Sequence, residues 1–417
     1  MTDPQQNDPA SSESQGFDSG QSVSPNGNTS QTKQNSGQRA FAARKINYRH
    51  SSKFVPILEH LGCSLLVSTY AAGKVASIGA ADGELHLRFS NFQQAMGIAI
   101  PDALASVDAG AANVEARDAE IGKSISARTL AVGGPNLVWF MRDAGSLARQ
   151  VEPAGTYDRA FLARESFVTG NISIHEMAWG HGQELWMVNT LFSCLATLHP
   201  DYNFVPRWQP PFIDGLAPQD RCHLNGMAMI DGRPRYVTCL GTSNEARGWR
   251  EGKVGGGALV DVDSGEVITK GFCMPHSPRW HQGKLFLLDS GRGQLVAVDL
   301  DSGKVDVVSD YPGYGRGLAF AGQFAFVGMS RARETSVFGG VPICDDTSRL
   351  RCGIVVIDLA SGRNVAFLEF ESGIEELFDV QVIEHSRRTV LCGPYPQEDQ
   401  QVPVWVVPPE IQTSGRR

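Results

Sequence analysis

Repetition constrains this chain more than any other feature. From about residue 64 onward, short apolar runs are separated by Gly, Asp and Asn turns, and the runs recur as two kinds of hairpin. The first kind is an apolar stretch, a tight turn, and a second apolar run with a small polar end. It reads Met177-Ala178-Trp179 then Leu185-Trp186-Met187-Val188-Asn189-Thr190. It returns at Met227-Ala228-Met229, at Arg279-Trp280-His281 and at Leu318-Ala319-Phe320, each followed by its own partner run. The second kind joins two strands by an Asp-Ser-Gly or Ala-Ser-Gly turn: Leu259 to Ile268, Leu295 to Lys304, Ile354 to Arg363. Gly in that turn supplies the positive φ a hairpin needs. Two hairpins make a four-stranded antiparallel unit. The units recur every 40 to 62 residues, the length range of propeller blades.

The expectation is therefore an all-β chain forming a single six-bladed β-propeller. Seven blades result if Thr129 to Asp158 is a blade of its own. A copy at Met96 to Ile100 precedes a long irregular insertion. The last copy, Leu377 to Val382, has too little chain after it for four strands. Strands at Ser64 to Tyr70, Lys74 to Gly79 and Glu84 to Phe89 complete it, which removes the open sheet edges of the ring. The domain expected is 44–409, closed by N- and C-terminal strands in one blade. A helix is predicted at Ser52 to Leu61 from the spacing of Phe54, Ile57, Leu58 and Leu61. Residues 1–43 are read as a disordered tail, since Ser, Gln, Asn and Gly supply 23 of the first 40 residues and leave too little apolar surface to offset ordering. Residues 410–417 are read as a frayed end. The stretch from Phe192 to Phe212, dense in aromatics and Pro, is expected as an ordered loop on one blade. A second ordered loop is expected at Asn244 to Gly257.

The charge narrows the function. With 37 Lys plus Arg against 45 Asp plus Glu, a net −8, nothing favours nucleic acid or an anionic membrane. No apolar run is long enough to span a bilayer, and the start Met1-Thr2-Asp3 has no signal-peptide character. Eight Cys without a CxxC pair argue against a zinc ribbon or disulfide framework. The expected setting is cytoplasmic, with free thiols. The oligomeric state is not readable.

In such a blade the innermost strand comes first. Its start and the end of the second strand lie on one face. Those two places are polar here: His175, His223 with Asn225, His276, Arg316 and Glu376 at first-strand starts, and Asn189 and Asp289 at second-strand ends. Convergent polar groups at an axial mouth mark a ligand site. His175, His223 and His276 from three consecutive blades are candidate ligands for one divalent transition metal such as zinc, leaving an open position. Equally, each imidazole serves a local turn; His223 is displaced by two residues from the register that His175 and His276 share. Asp289 and Glu376 are candidate general bases. Arg279 and Arg316, with Arg221 beside them, are candidates for holding an anionic group, or for ion pairs with nearby acids.

Several strings are distinctive: Ile174-His175-Glu176, Phe204-Val205-Pro206-Arg207-Trp208, Asp220-Arg221-Cys222-His223-Leu224-Asn225-Gly226, Pro275-His276-Ser277-Pro278-Arg279-Trp280 and Glu376-Leu377-Phe378-Asp379-Val380. On these the chain resembles an uncharacterised bacterial family of conserved hypothetical proteins over about Ser64 to Ile383. Gln219 stands where that family has an acidic residue. The resemblance implies a propeller-like domain and no settled activity. Two readings remain: a small-molecule hydrolase or lyase at the axial mouth, metal-assisted if the imidazoles meet, and a non-catalytic binding or scaffold module presenting the same face to a peptide, glycan or protein.

Overall fold

Six antiparallel sheets form the blades of a β-propeller in the computed structural model, which describes residues 45–100, 129–331 and 339–395. The expected tails, 1–43 and 410–417, lie outside the described residues. Blade 1 is Asp379–Ile383, Ser64–Thr69, Lys74–Ala81 and Glu84–Asn91, so the two ends of the domain share it. Blade 2 is Ile98–Ala99, Thr129–Gly133, Leu137–Asp143 and Arg159–Val168. Blade 3 is Ile174–Trp179, Leu185–Asn189, Cys194–His199 and Tyr202–Trp208. Blade 4 is Leu224–Ile230, Arg233–Cys239, Gly257–Asp261 and Val267–Phe272. Blade 5 is Pro275–His281, Lys284–Asp289, Gln294–Val298 and Val305–Asp310. Blade 6 is Tyr314–Ala321, Phe324–Ser330, Gly353–Asp358 and Arg363–Ser372. A seventh blade from Thr129 to Asp158 does not form: its two strands pair with Ile98–Ala99 and Arg159–Val168 inside blade 2.

The first strands pack on one another around a closed ring, so they line the axis. Between adjacent blades lie the apolar layers. Leu66 and Val75 of blade 1, for example, pack against Ile98, Leu130 and Phe161 of blade 2, all fully or almost fully buried. Two further strands overlap the closure. Asn47–His50 adds antiparallel to the outer edge of blade 6, and Thr389–Cys392 adds parallel to the outer edge of blade 2. The helix spans Phe54–Leu61, with Phe54 and Leu58 buried, and Gly62 in the left-handed region closes it.

The stretch Phe192 to Phe212 corrects the loop expectation: Cys194–His199 and Tyr202–Trp208 are the two outer strands of blade 3. Pro206 is accommodated because its strand is an edge, where a missing N–H breaks no ladder on the solvent side.

Candidate functional site

In blades 3 to 6, polar side chains at the start of the inner strand or the end of the second tie each blade to the next. In blade 3 the His175 Nδ1–H lies 3.1 Å from the Ser173 carbonyl and 2.7 Å from the Thr190 hydroxyl, which itself donates to the Leu224 carbonyl of blade 4. Blade 5 repeats this. The His276 Nδ1–H lies 2.9 Å from the Met274 carbonyl and 3.1 Å from the Ser290 hydroxyl, which donates to the Gly315 carbonyl of blade 6. In blade 4, Asn225 takes the equivalent place: it accepts from Thr238 and donates to the Pro275 carbonyl of blade 5. The Ser330 hydroxyl of blade 6 donates to the Leu377 carbonyl next to blade 1. The register shared by His175 and His276 is thus a repeated latch between blades, and it fixes both rings as Nδ1–H tautomers.

His223 departs from that register and gains a different partner. Its Nδ1–H donates to Asp220 Oδ1 at 2.8 Å, while the Trp249 indole N–H donates to Asp220 Oδ2 at 3.0 Å. Trp249, on the Asn244 to Gly257 loop, packs its ring against His223 with centroids 4.5 Å apart. On its other side the His223 ring meets His175 edge-on, centroids 4.9 Å apart. Both His223 and Asp220 have positive φ, near 49°. So do Gln94, Ser173, Arg247 and Met274, and all six line one cavity of about 700 Å³ at the axial mouth. Non-glycine residues held in that region cost about 1–3 kcal/mol each and gather at functional sites.

His175, His223, Arg316 and Glu376 line this cavity; Asp289, Arg279 and Arg221 do not. Arg316 is mostly buried, its guanidinium 4.8 Å from the Phe378 ring centre. Its closest carboxylate is Glu376 at 3.8 Å, and its Nε–H is buried with no partner. Burial holds His175 well below the usual imidazole range, helped by the neighbouring His223 and Arg316. His276, behind the wall, is lowered likewise by burial, then by Arg316 and His175, and its Nε2 is buried without a partner.

The other candidates have structural tasks. Asp289 accepts from the Cys273 amide at 2.7 Å and pairs with Arg292. Asn189 accepts from the Phe192 amide, and Arg221 is held by Asp214, Asn244 and Gln219. Arg279 lies below the mouth in the channel itself, bonded to Glu176 at 2.9 Å, to the Leu318 carbonyl, and 3.7 Å from Asp379. Glu176 also accepts from the Met227 amide, and Asp379 from the Ile98 amide, so this cluster draws on all six blades and fills the axis. Burial pushes the Asp379 carboxyl up to about 6, against the pull of Arg279. Among the described residues, no three His, Cys, Asp or Glu side chains are arranged to hold a metal ion. All three Nδ1 atoms are occupied; the His175 and His223 rings line the cavity, whereas the His276 Nε2 is buried behind its wall.

Sequence reasoning passed over Asp220 and Trp249 as parts of the site. The available signal was the Asp220-Arg221-Cys222-His223 spacing, which brings carboxylate and imidazole together once both residues take positive φ.

None of the curated proteins compared with the chain matches it. Among solved structures, the chain is similar to one in the crystal structure of a nidogen/laminin complex, at 9% identity and a TM-score of 0.45, with 78% of this chain and 99% of that one covered. It is similar to a protein of unknown function from Bacteroides caccae, at 8% identity and 0.45, with coverages of 77% and 98%. It is also similar to a catalytically inactive virginiamycin B lyase from Staphylococcus aureus crystallised with quinupristin, at 8% identity and 0.36, with coverages of 78% and 99%. One family matches residues 52–391, described as a domain of unknown function, DUF4915; the chain belongs to that family.

Proposed function

We propose that the axial mouth is the active site of a small-molecule hydrolase or lyase in which His223 is the general base. The observation that carries this reading is the Asp220–His223 pair beside a cavity. Asp220 holds Nδ1–H, so the Nε2 lone pair is free to take a proton from water or from carbon, and the carboxylate stabilises the imidazolium that results. Trp249 fixes the second carboxylate oxygen, which limits Asp220 to one orientation. Arg316, buried and only loosely neutralised, faces the same space and suits the negative charge that develops as the proton leaves.

A scaffold that binds through this face would present an apolar rim. The exposed large apolar side chains among the described residues are Tyr48, Val168, Tyr202, Leu216, Val254, Trp280 and Val307, spread over several blades. That distribution favours the enzyme reading. The test is turnover of a panel of carboxylate- and phosphate-bearing esters, lactones and β-substituted acids. His223→Gln is expected to lower kcat by about 10²–10⁴-fold on any substrate found. Activity that survives this substitution unchanged would remove His223 from the chemistry.

A further inference from the structure

The unpaired groups at the mouth also specify what should fill it, given the reading of that mouth as the site. Arg279 and Arg316 are both largely buried guanidiniums, and the contrast between them is informative. Arg279 has a carboxylate at 2.9 Å, another at 3.7 Å and a carbonyl on Nε. Arg316 has one carboxylate at 3.8 Å, the Tyr314 side chain beside it, and an unpartnered Nε–H. A buried cation left this short of partners is costly unless an anion completes it. At the rim, Arg247 and Arg250 line the same cavity, and among the described residues neither pairs with a carboxylate. Asp220 and Glu376 are the two carboxylates of the lining, and Asp220 is engaged by His223 and Trp249. Against three guanidiniums this leaves a small excess of positive charge within a chain of net −8.

An imidazole adds the opposite requirement. His175, whose ring lines the cavity, keeps its proton on Nδ1 and so presents a lone pair at Nε2. An acceptor on the cavity wall is a place for a ligand O–H. A ligand ammonium would also donate, but it would face three guanidiniums. We propose that the ligand of the axial mouth is a polyhydroxylated anion, a sugar acid or sugar phosphate. Its acidic group sits on Arg316, and a hydroxyl donates to the His175 Nε2. Carboxylate and phosphate both match a guanidinium fork.

Isothermal titration of the full chain with four probes tests this: D-gluconate, sorbitol 6-phosphate, sorbitol and hexanoate. One or both of the hydroxylated anions should bind saturably, and at least about tenfold more tightly than sorbitol, which lacks the charge, and than hexanoate, which lacks the hydroxyls. Whichever of gluconate and sorbitol phosphate binds tighter identifies the acidic group. Sorbitol or hexanoate binding as tightly, or no saturable binding of any probe, would overturn the proposal. Arg316→Gln isolates the anion contact: binding of the hydroxylated anion should fall at least about tenfold, and unchanged binding in that variant would overturn the proposal. Anion binding without any His223-dependent turnover would sink only the general base. His223-dependent turnover confined to uncharged substrates would sink only this inference.

Discussion

At the scale of single residues, three imidazoles of one kind carry different tasks because their Nδ1 partners differ. His175 and His276 give Nδ1–H to a carbonyl two residues back and to a hydroxyl, whereas His223 gives it to a carboxylate. Their burial has a pH consequence. A histidine held below its ordinary value stays neutral in the native state while the unfolded chain takes up a proton near pH 6.5, so stability falls as pH drops below that point. Asp379 acts in the opposite direction. Its carboxyl protonates near 6 in the native state against 3.8 in the unfolded chain, so between those values acidification stabilises the fold. Melting temperatures from pH 7 to 4 should therefore fall more steeply for Asp379→Asn than for wild type, and less steeply for His276→Gln. Parallel curves for all three proteins would contradict this assignment. A second residue-scale outcome concerns the latch between blades 3 and 4. Thr190→Val leaves the Leu224 carbonyl and the His175 ring without their hydroxyl, and chemical denaturation should show a loss of about 1–3 kcal/mol. A loss within error of zero would mean that the hydroxyl bridge adds nothing.

At the scale of elements, the inner strands approach so closely that glycine is required where they cross. A Cβ on Gly317 would lie 2.3 Å from the Val380 amide, and its φ is +79°. One on Gly226 would lie 2.3 Å from Pro278 Cδ. Neither neighbour yields without moving its strand, so Gly317→Ala should lower stability by about 3 kcal/mol or more, read by denaturant melts. Wild-type stability would show that blades 6 and 1 are looser at the axis than described. Strand positions were readable because alternation and the Asp-Ser-Gly turns are local signals. The outer strands of blade 3 were not: Pro206 and the aromatics on either side of it suggest a loop, and only the edge position makes them a strand. The site was legible in part. His175, His223, Arg316 and Glu376 come together at the mouth as their strand-start positions imply. The pairings that commit Arg279, Asp289 and Arg221 elsewhere depend on side chains distant in sequence or on loop geometry, neither of which spacing encodes.

At the scale of the whole molecule, six blades follow from the repeat length, and the ring is held by overlap. The C-terminal strand Asp379–Ile383 lies inside a sheet otherwise built from the N-terminal part, and Asn47–His50 and Thr389–Cys392 reach to the blades on either side. Truncation before Ile374 would expose the edge at Ser64–Thr69 and should abolish cooperative unfolding in calorimetry, whereas removing residues 45–51 should lower the melting temperature modestly. A cooperative transition at the wild-type temperature after the larger truncation would show that closure is dispensable. Among the described residues, no helix is long and apolar enough to cross a membrane. The ring's consequence for function is that groups from blades 1, 3, 4 and 6 share one opening, with the Glu176–Arg279–Asp379 cluster filling the channel beneath it.

The tautomers and charge states of the imidazoles at that opening test the account most directly. Two-bond ¹H–¹⁵N correlation spectra of ring-labelled protein, assigned with His175→Gln, His223→Gln and His276→Gln, read them one by one. The account predicts that His175 and His276 are neutral with the proton on Nδ1 at pH 6, and that the Nδ1 proton of His223 vanishes from its hydrogen-bonded position in Asp220→Ala. Ordinary titration of His175 and His276 near 6.5, or the proton on Nε2 of either, would contradict the burial of His175 at the mouth and of His276 behind it.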